Sequence, residues 1–393
     1  MNPNSAPPKF WVHPDILKLG FVSFLTDLSS EMIFSVFAIF FTSVIGGSAA
    51  LLGLIEGLSD LSSCSLNYYS GWLSDRTGKR KSLAMTGYGF SSFAKVILLF
   101  SSSLAGLGIF RVIERLGKSF RGPPRDAWLS SVAHESTRGY AFGVHKALDK
   151  AGAVLGPLFA YGLLSILGEG YDSFIRLFWI ALIPAILSVL VLSRVKDQPG
   201  IQFERENMFD AWRRLGSGYK NYLISAGIFS LAYFSFGFLL LRAYSVGFKV
   251  KDIILLYALF NISFVIFAPI IGKIGDQVGR VRIIALSYFV YFLMSLGFAF
   301  ASQKWEIIAL FVCFGLFFSI DEAQSKAYIS DLESERRASA IGLYNFATGL
   351  IYLPASAIAG SLWLFHPSSA FYFSASISLI ALVYFVLFGS RQQ

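Results

Sequence analysis

Charge is what this chain has least of. Charged residues are 15% of its 393 positions, against roughly 25% in an ordinary soluble domain, and that shortfall excludes a water-soluble globule. Cysteine is nearly absent. Cys64 and Cys313 are the two present and both lie in apolar stretches, which excludes an extracellular disulfide framework. The four histidines are widely spread, and HExxH, GxSxG and P-loop patterns are missing. A zinc hydrolase, a serine hydrolase and an ATP-driven pump therefore lack their motifs, and the expectation is no enzyme activity, no metal and no cofactor. No apolar run has strand length and alternation, which argues against an outer-membrane barrel.

What the chain has instead is apolar length. It is 55% hydrophobic and 17% aromatic, with a mean hydropathy of +0.61. About 20 apolar residues suffice to cross the hydrocarbon as a helix, and such runs recur twelve times: 19–41, 50–70, 83–104, 105–122, 141–164, 174–193, 219–241, 252–271, 283–301, 306–328, 338–362 and 369–388. The expected fold is an all-α, multi-pass membrane protein. Its first run has full span length without a basic leader, so it reads as a retained helix. Residues 194–218 form the longest polar connection, with an amphipathic piece around Met208–Leu215. The expected domains are residues 1–193, a linker 194–218, and residues 219–393.

The net charge of +9 is placed asymmetrically. One set of loops carries Arg76, Lys79, Arg80, Lys81, Arg138, Arg194, Lys196, Arg205, Arg213, Arg214, Lys220, Arg280, Arg282, Arg336 and Arg337, whereas the opposite set has little beyond Lys249, Lys251 and Lys304. That bias puts both termini in the cytoplasm and accounts for the basic excess without nucleic acid as a partner.

Intramembrane charges are costly and mark function. Asp27 and Glu31 share a face of the first span, as do Glu56 and Asp60 in the second. The third span carries Lys95, expected to neutralise a neighbour. The fourth is the most charged: Arg111, Arg115 and Lys118 form one basic stripe with Glu114 beside it, and Arg121 follows. Pro123 and Pro124 are expected to end that helix. The fifth span has His145 and Asp149 on one face, then Gly152, Gly156 and Pro157, whose spacing allows a close helix approach. In the second half the tenth span holds Asp321, Glu322 and Lys326, and the eleventh Tyr344 and Asn345.

Two polar inserts relate the halves. Gly71-Trp-Leu-Ser-Asp75-Arg76-Thr-Gly78-Lys79-Arg80-Lys81 follows the second span, and Gly272-Lys-Ile-Gly-Asp276-Gln-Val-Gly279-Arg280-Val-Arg282 follows the eighth. Arg125-Asp-Ala-Trp-Leu-Ser-Ser and Ser325-Lys-Ala-Tyr-Ile-Ser-Asp align at a similar offset. Two repeats in register indicate a duplicated unit.

The first insert, echoed by the second, resembles the loop motif of the major facilitator superfamily, and the likeness extends over the whole chain: twelve spans, two six-helix halves and a mid-chain linker. The charged fourth span is similar to that superfamily's arginine-bearing fourth helix, and Gly152-x-x-x-Gly156-Pro157 matches the core of the fifth-helix motif of antiporters, with Ala160 and Tyr161 departing from it. Leu25-Thr-Asp27-Leu-Ser-Ser-Glu31-Met32 and Gly117-Lys-x-x-Arg121-x-Pro-Pro-Arg125-Asp126 resemble a bacterial permease subgroup.

The resemblance implies two pseudo-symmetric bundles rocking about a central site, in the bacterial inner membrane, as a monomer, with a small-molecule substrate, the lipid bilayer and protons as partners and the proton gradient as energy source. The loop would latch the cytoplasmic side through Asp75 and Arg76, more strongly than Asp276 and Arg280, because Gln277 replaces the second arginine. Burial and neighbouring bases act oppositely on a carboxyl, so Asp27, Glu31, Glu56, Asp60, Glu114, His145 and Asp149 are proton-coupling candidates. Arg111, Arg115, Lys118, Asp321, Glu322, Tyr344 and Asn345 are substrate candidates. An arginine stripe suits an anionic or zwitterionic solute, unless the nearby carboxylates neutralise it internally. The partial fifth-helix motif favours export; the stripe equally suits uptake of a carboxylate metabolite or citrate-type siderophore.

Overall fold

In the computed structural model the described residues are 13–101, 103–132, 138–197, 212, 215–333 and 337–389. Among them the regular structure is helical, with no strand. The elements are α1 (Pro14–Ile39, continued by a π turn Phe40–Val44), α2 (Ala49–Thr77), α3 (Arg80–Phe100), α4 (Leu104–Val132), α5 (Arg138–Leu167), α6 (Tyr171–Ser193), α7 (Ser217–Ala232), α8 (Gly237–Ser245), α9 (Val250–Val278), α10 (Arg280–Phe300), α11 (Lys304–Leu332), α12 (Arg337–Phe365) and α13 (Pro367–Tyr384, with a π turn Phe385–Gly389). All twelve expected segments are helical, α7 and α8 together making the seventh. Ten segments among the described residues are long and apolar enough to cross a membrane. Only a helix pairs every backbone group within one segment, as hydrocarbon demands.

Contacts divide the chain into two compact units: Met1–Ser35 with Ser65–Arg205, and Val36–Cys64 with Glu206–Gln393. In the first unit α3 packs on α4 and α6. A core of Ile16, Leu19, Val22, Tyr88, Trp128, Leu129 and Leu192 closes the end where the first basic insert lies. The α6 face bearing Trp179, Ile183, Ile186 and Leu190 is exposed, which suits contact with lipid. In the second unit α9 packs on α11, α10 on α13 and α7 on both α12 and α13. The Val36–Cys64 stretch joins it by backbone approach, a Cβ on Gly57 being only 2.8 Å from the Leu353 Cα.

Two sequence expectations are corrected. Pro123 and Pro124 do not end the fourth helix, which runs through them to Val132. Pro123 cannot donate to the Ser119 carbonyl one turn back, but the Ser70 hydroxyl of α2 donates to it instead at 3.2 Å, so the helix continues with that acceptor satisfied. Conversely the seventh span, read as continuous, breaks between Ala232 and Gly237. Residues 1–12 and the greater part of the linker, with Met208, lie outside the described residues.

Candidate functional site

A buried polar network occupies the first unit. Its deepest member is Glu114 of α4, fully buried. Ser30 of α1 donates to Glu114 Oε1 at 3.3 Å, Arg111 lies 3.5 Å from Oε2, and Lys95 of α3, 1% exposed, donates to Ser30 at 3.2 Å and to the Ser91 carbonyl at 3.4 Å. The Arg111 guanidinium lies 4.2 Å from the centroid of Phe34, and Arg121 donates to Ser91 while standing 4.7 Å over Tyr88. A buried base beside a buried acid offsets the desolvation of both, whereas either alone would be expensive.

A second cluster lies toward the basic insert and is centred on Ser23 of α1. Its hydroxyl meets His145 Nε2 of α5 at 3.2 Å and the Tyr88 hydroxyl of α3 at 3.3 Å, and accepts from Arg125 of α4 at 3.1 Å. Arg125 also pairs with Asp126 at 2.9 Å and reaches Asp149 at 4.0 Å, while Lys146 pairs with Asp149 at 3.2 Å. Asp27 joins the two clusters: buried itself, it is within electrostatic reach of Asp149, Lys118, Glu31 and Arg121. Arg115 and Lys118 are half-buried.

Glycines bring α5 onto α1. A Cβ added at Gly152 would sit 2.4 Å from the Phe24 carbonyl oxygen, and one at Gly156 2.7 Å from that of Leu28. Only a residue without Cβ admits this approach, which sets His145 and Asp149 against α1. Helix α5 continues through Pro157.

The other candidates fall in the second unit. Glu56 is buried and Asp60 half-buried on α2. Asp321 of α11 is half-buried and accepts from the Ser325 hydroxyl at 3.2 Å. Tyr344 of α12 stacks on Tyr222, centroids 6.0 Å apart, and Asn345 is half-buried beside it. The Glu322 side chain lies outside the described residues.

At the inserts, α2 ends with Gly71 buried and Arg76 5.1 Å over Trp72. Gly78 and Gly279 have φ of 67° and 97°, the left-handed region that glycine favours; Gly78 precedes Lys79 and then Arg80, which opens α3, and Gly279 directly precedes Arg280, which opens α10. Lys81 donates to the Ser193 and Val195 carbonyls at 2.8 and 2.6 Å, closing the end of α6. Arg280 pairs with Asp331 and meets Gln324 at 3.4 Å. The side chains of Asp75 and Asp276, and Gly272, lie outside the described residues.

The family model described as Major Facilitator Superfamily matches residues 19–241 and again 222–393. This chain belongs to the major facilitator superfamily. It is thus a multi-pass membrane transporter, with a small-molecule substrate and the bilayer as its surroundings. Among its relatives, an uncharacterised MFS-type transporter of Methanocaldococcus jannaschii is 37% identical over 374 residues, 93% of each chain. The multidrug resistance protein MdtH of Klebsiella pneumoniae is 32% identical over 149 residues, 36% of this chain and 35% of that protein. A nucleoside transporter, NupG, solved as a D323A mutant, has the same fold: TM-score 0.81 at 12% identity, covering 95% of this chain and 99% of its own.

Sequence reading missed Ser23, Ser30, Tyr88 and Ser91, the neutral residues that join the charges of this superfamily member. A serine every few residues along an apolar helix carries no local mark of its partner. The available signal was their register with the charges: Ser23 and Ser30 flank Asp27 by about one helical turn each.

Proposed function

We propose that this transporter moves a small polar solute, anionic or zwitterionic, across the cytoplasmic membrane by alternating access and couples it to protons, with export as the direction. The two bundles, residues 1–193 and 219–393 joined by the linker 194–218, work as a monomer with both termini in the cytoplasm. One observation carries the coupling: the buried carboxylates of Asp27 and Glu114 both lie within electrostatic reach of Lys118 and Arg121, Glu114 also of Lys95 and Arg111, and the buried Glu31 is within reach of Asp27. Such a network can exchange a proton when a cavity admits water and the balance of charges alters. His145 and Asp149 extend it by way of Ser23 and Arg125, and Glu56 and Asp60 offer a second pair on α2.

Export is supported by the Gly152, Gly156 and Pro157 pattern and by the partial likeness to a multidrug resistance protein. The alternative, proton-driven uptake of a carboxylate metabolite or citrate-type siderophore, rests on the half-buried Arg115 and Lys118 of the stripe.

Counterflow in proteoliposomes, with a panel of carboxylates, amino acids, sugars and drugs and with or without a pH gradient, tests the reading. A transported solute should respond to the gradient in the native protein and lose that response, at least tenfold (about 1.4 kcal/mol), in Asp27→Asn. Gradient-independent transport by both proteins would refute coupling.

A further inference from the structure

The second unit contains an interrupted span that the charge network does not explain. Non-helical backbone at membrane depth persists only where protein or a wet cavity surrounds it, and broken spans mark binding sites in secondary transporters. Here α7 ends at Ala232 and α8 begins at Gly237. The break is built, not frayed: the Ala232 carbonyl accepts from the Tyr291 hydroxyl at 3.1 Å and from Ser374 at 2.8 Å, and Ser235 accepts from the Gly237 N–H at 3.2 Å.

Aromatic rings wall it. Tyr233, inside the break, has its ring 5.5 Å from Tyr352, 5.9 Å from Tyr291 and 6.2 Å from Phe317. Tyr291 and Phe317 are buried and form a floor, whereas Tyr233, Tyr344 and Tyr352 are half-buried and retain access. Carboxylates flank the same rings. Asp321 is within electrostatic reach of Tyr222, Tyr291, Tyr344 and Tyr352, and Asp60 reaches Tyr352 from α2.

Aromatic faces are negative, and their attraction for a cation strengthens as water is removed. Two carboxylates beside them add to that attraction and oppose an anion.

We propose that Tyr233, Tyr344 and Tyr352, with Asp321 and Asp60, form a binding site for an organic ammonium group carried on an apolar body. The site rests on the transporter reading and narrows the solute to one bearing an amine.

The test uses three probes of one shape and different charge: benzylamine, benzyl alcohol and benzoate, titrated calorimetrically into the purified full-length protein at neutral pH. Benzylamine should bind at least about tenfold more tightly than benzyl alcohol, with benzoate weakest. Asp321→Asn and Tyr352→Leu should abolish the preference, and Tyr352→Phe, which keeps the ring, should retain it. If Asp321→Asn does not fold, the Tyr352 pair decides. Benzoate binding as well as benzylamine, a preference unaltered by Asp321→Asn, or equal behaviour of Tyr352→Leu and Tyr352→Phe would overturn the site. If benzylamine binds selectively but no solute moves in counterflow, the site stands and the transport reading falls. Transport of amine-free solutes alone, with no charge preference in binding, would reject the site and leave the transport reading intact.

Discussion

At the residue scale the informative group is Lys95. A lysine 1% exposed survives in an apolar helix because Ser30, Ser91 and the charge of Glu114 surround it. Removing one partner strands the other, so Lys95→Met should destabilise the protein by about 3–5 kcal/mol, while Lys95→Met combined with Glu114→Leu should recover much of the loss. Thermal unfolding in detergent measures both. A single variant as stable as the native chain would mean that Glu114 finds its compensation elsewhere. Arg111 is read differently now that it stands against Glu114 and Phe34: part of its charge is already used within the first unit.

At the element scale the two corrections share a cause. Helix α4 continues past two prolines because a hydroxyl on another helix replaces a lost donor, and the seventh span breaks because side chains on α10 and α13 take its terminal carbonyl. Local propensity ranks these cases the other way round, proline being the strong breaker. Ser70→Ala should therefore cost about 1–3 kcal/mol, the penalty for an unsatisfied buried carbonyl, and should loosen α4 beyond Ser119. Amide exchange across residues 119–132 would report this; protection unchanged from the native protein would assign the continuity to packing alone.

At the scale of the whole molecule, each half carries one of the paired basic inserts. Lys81 ties α3 to the end of α6, and Arg280 ties α10 to Asp331 of α11, so the bases have partners within their own bundles as well as any role in gating. The replacement of arginine by Gln277 makes the inserts unequal. Asp75→Asn should lower the transport rate more than Asp276→Asn, by about tenfold against twofold or less, read in counterflow at matched protein density. Equal effects would show that the inserts set topology and do not act as unequal latches.

How much of this was legible follows from the range of the forces involved. The sequence by itself determined the fold class and the apolar segments, because a membrane helix must satisfy its backbone within one segment and carry enough apolar length to do so, and the resemblance of its two inserts to a known loop motif pointed to the family. Every residue needed for that decision is local. The charged candidates were visible too, since each is rare in such surroundings. Tertiary structure alone decided their company: that Glu114 sits with Lys95 and Ser30, that Ser23 gathers three helices at one hydroxyl, and that Asp60 groups with Tyr352 while Asp27 groups with Asp149. It also decided which helix breaks. Those outcomes depend on partners from distant parts of the chain, which periodicity along one segment cannot specify.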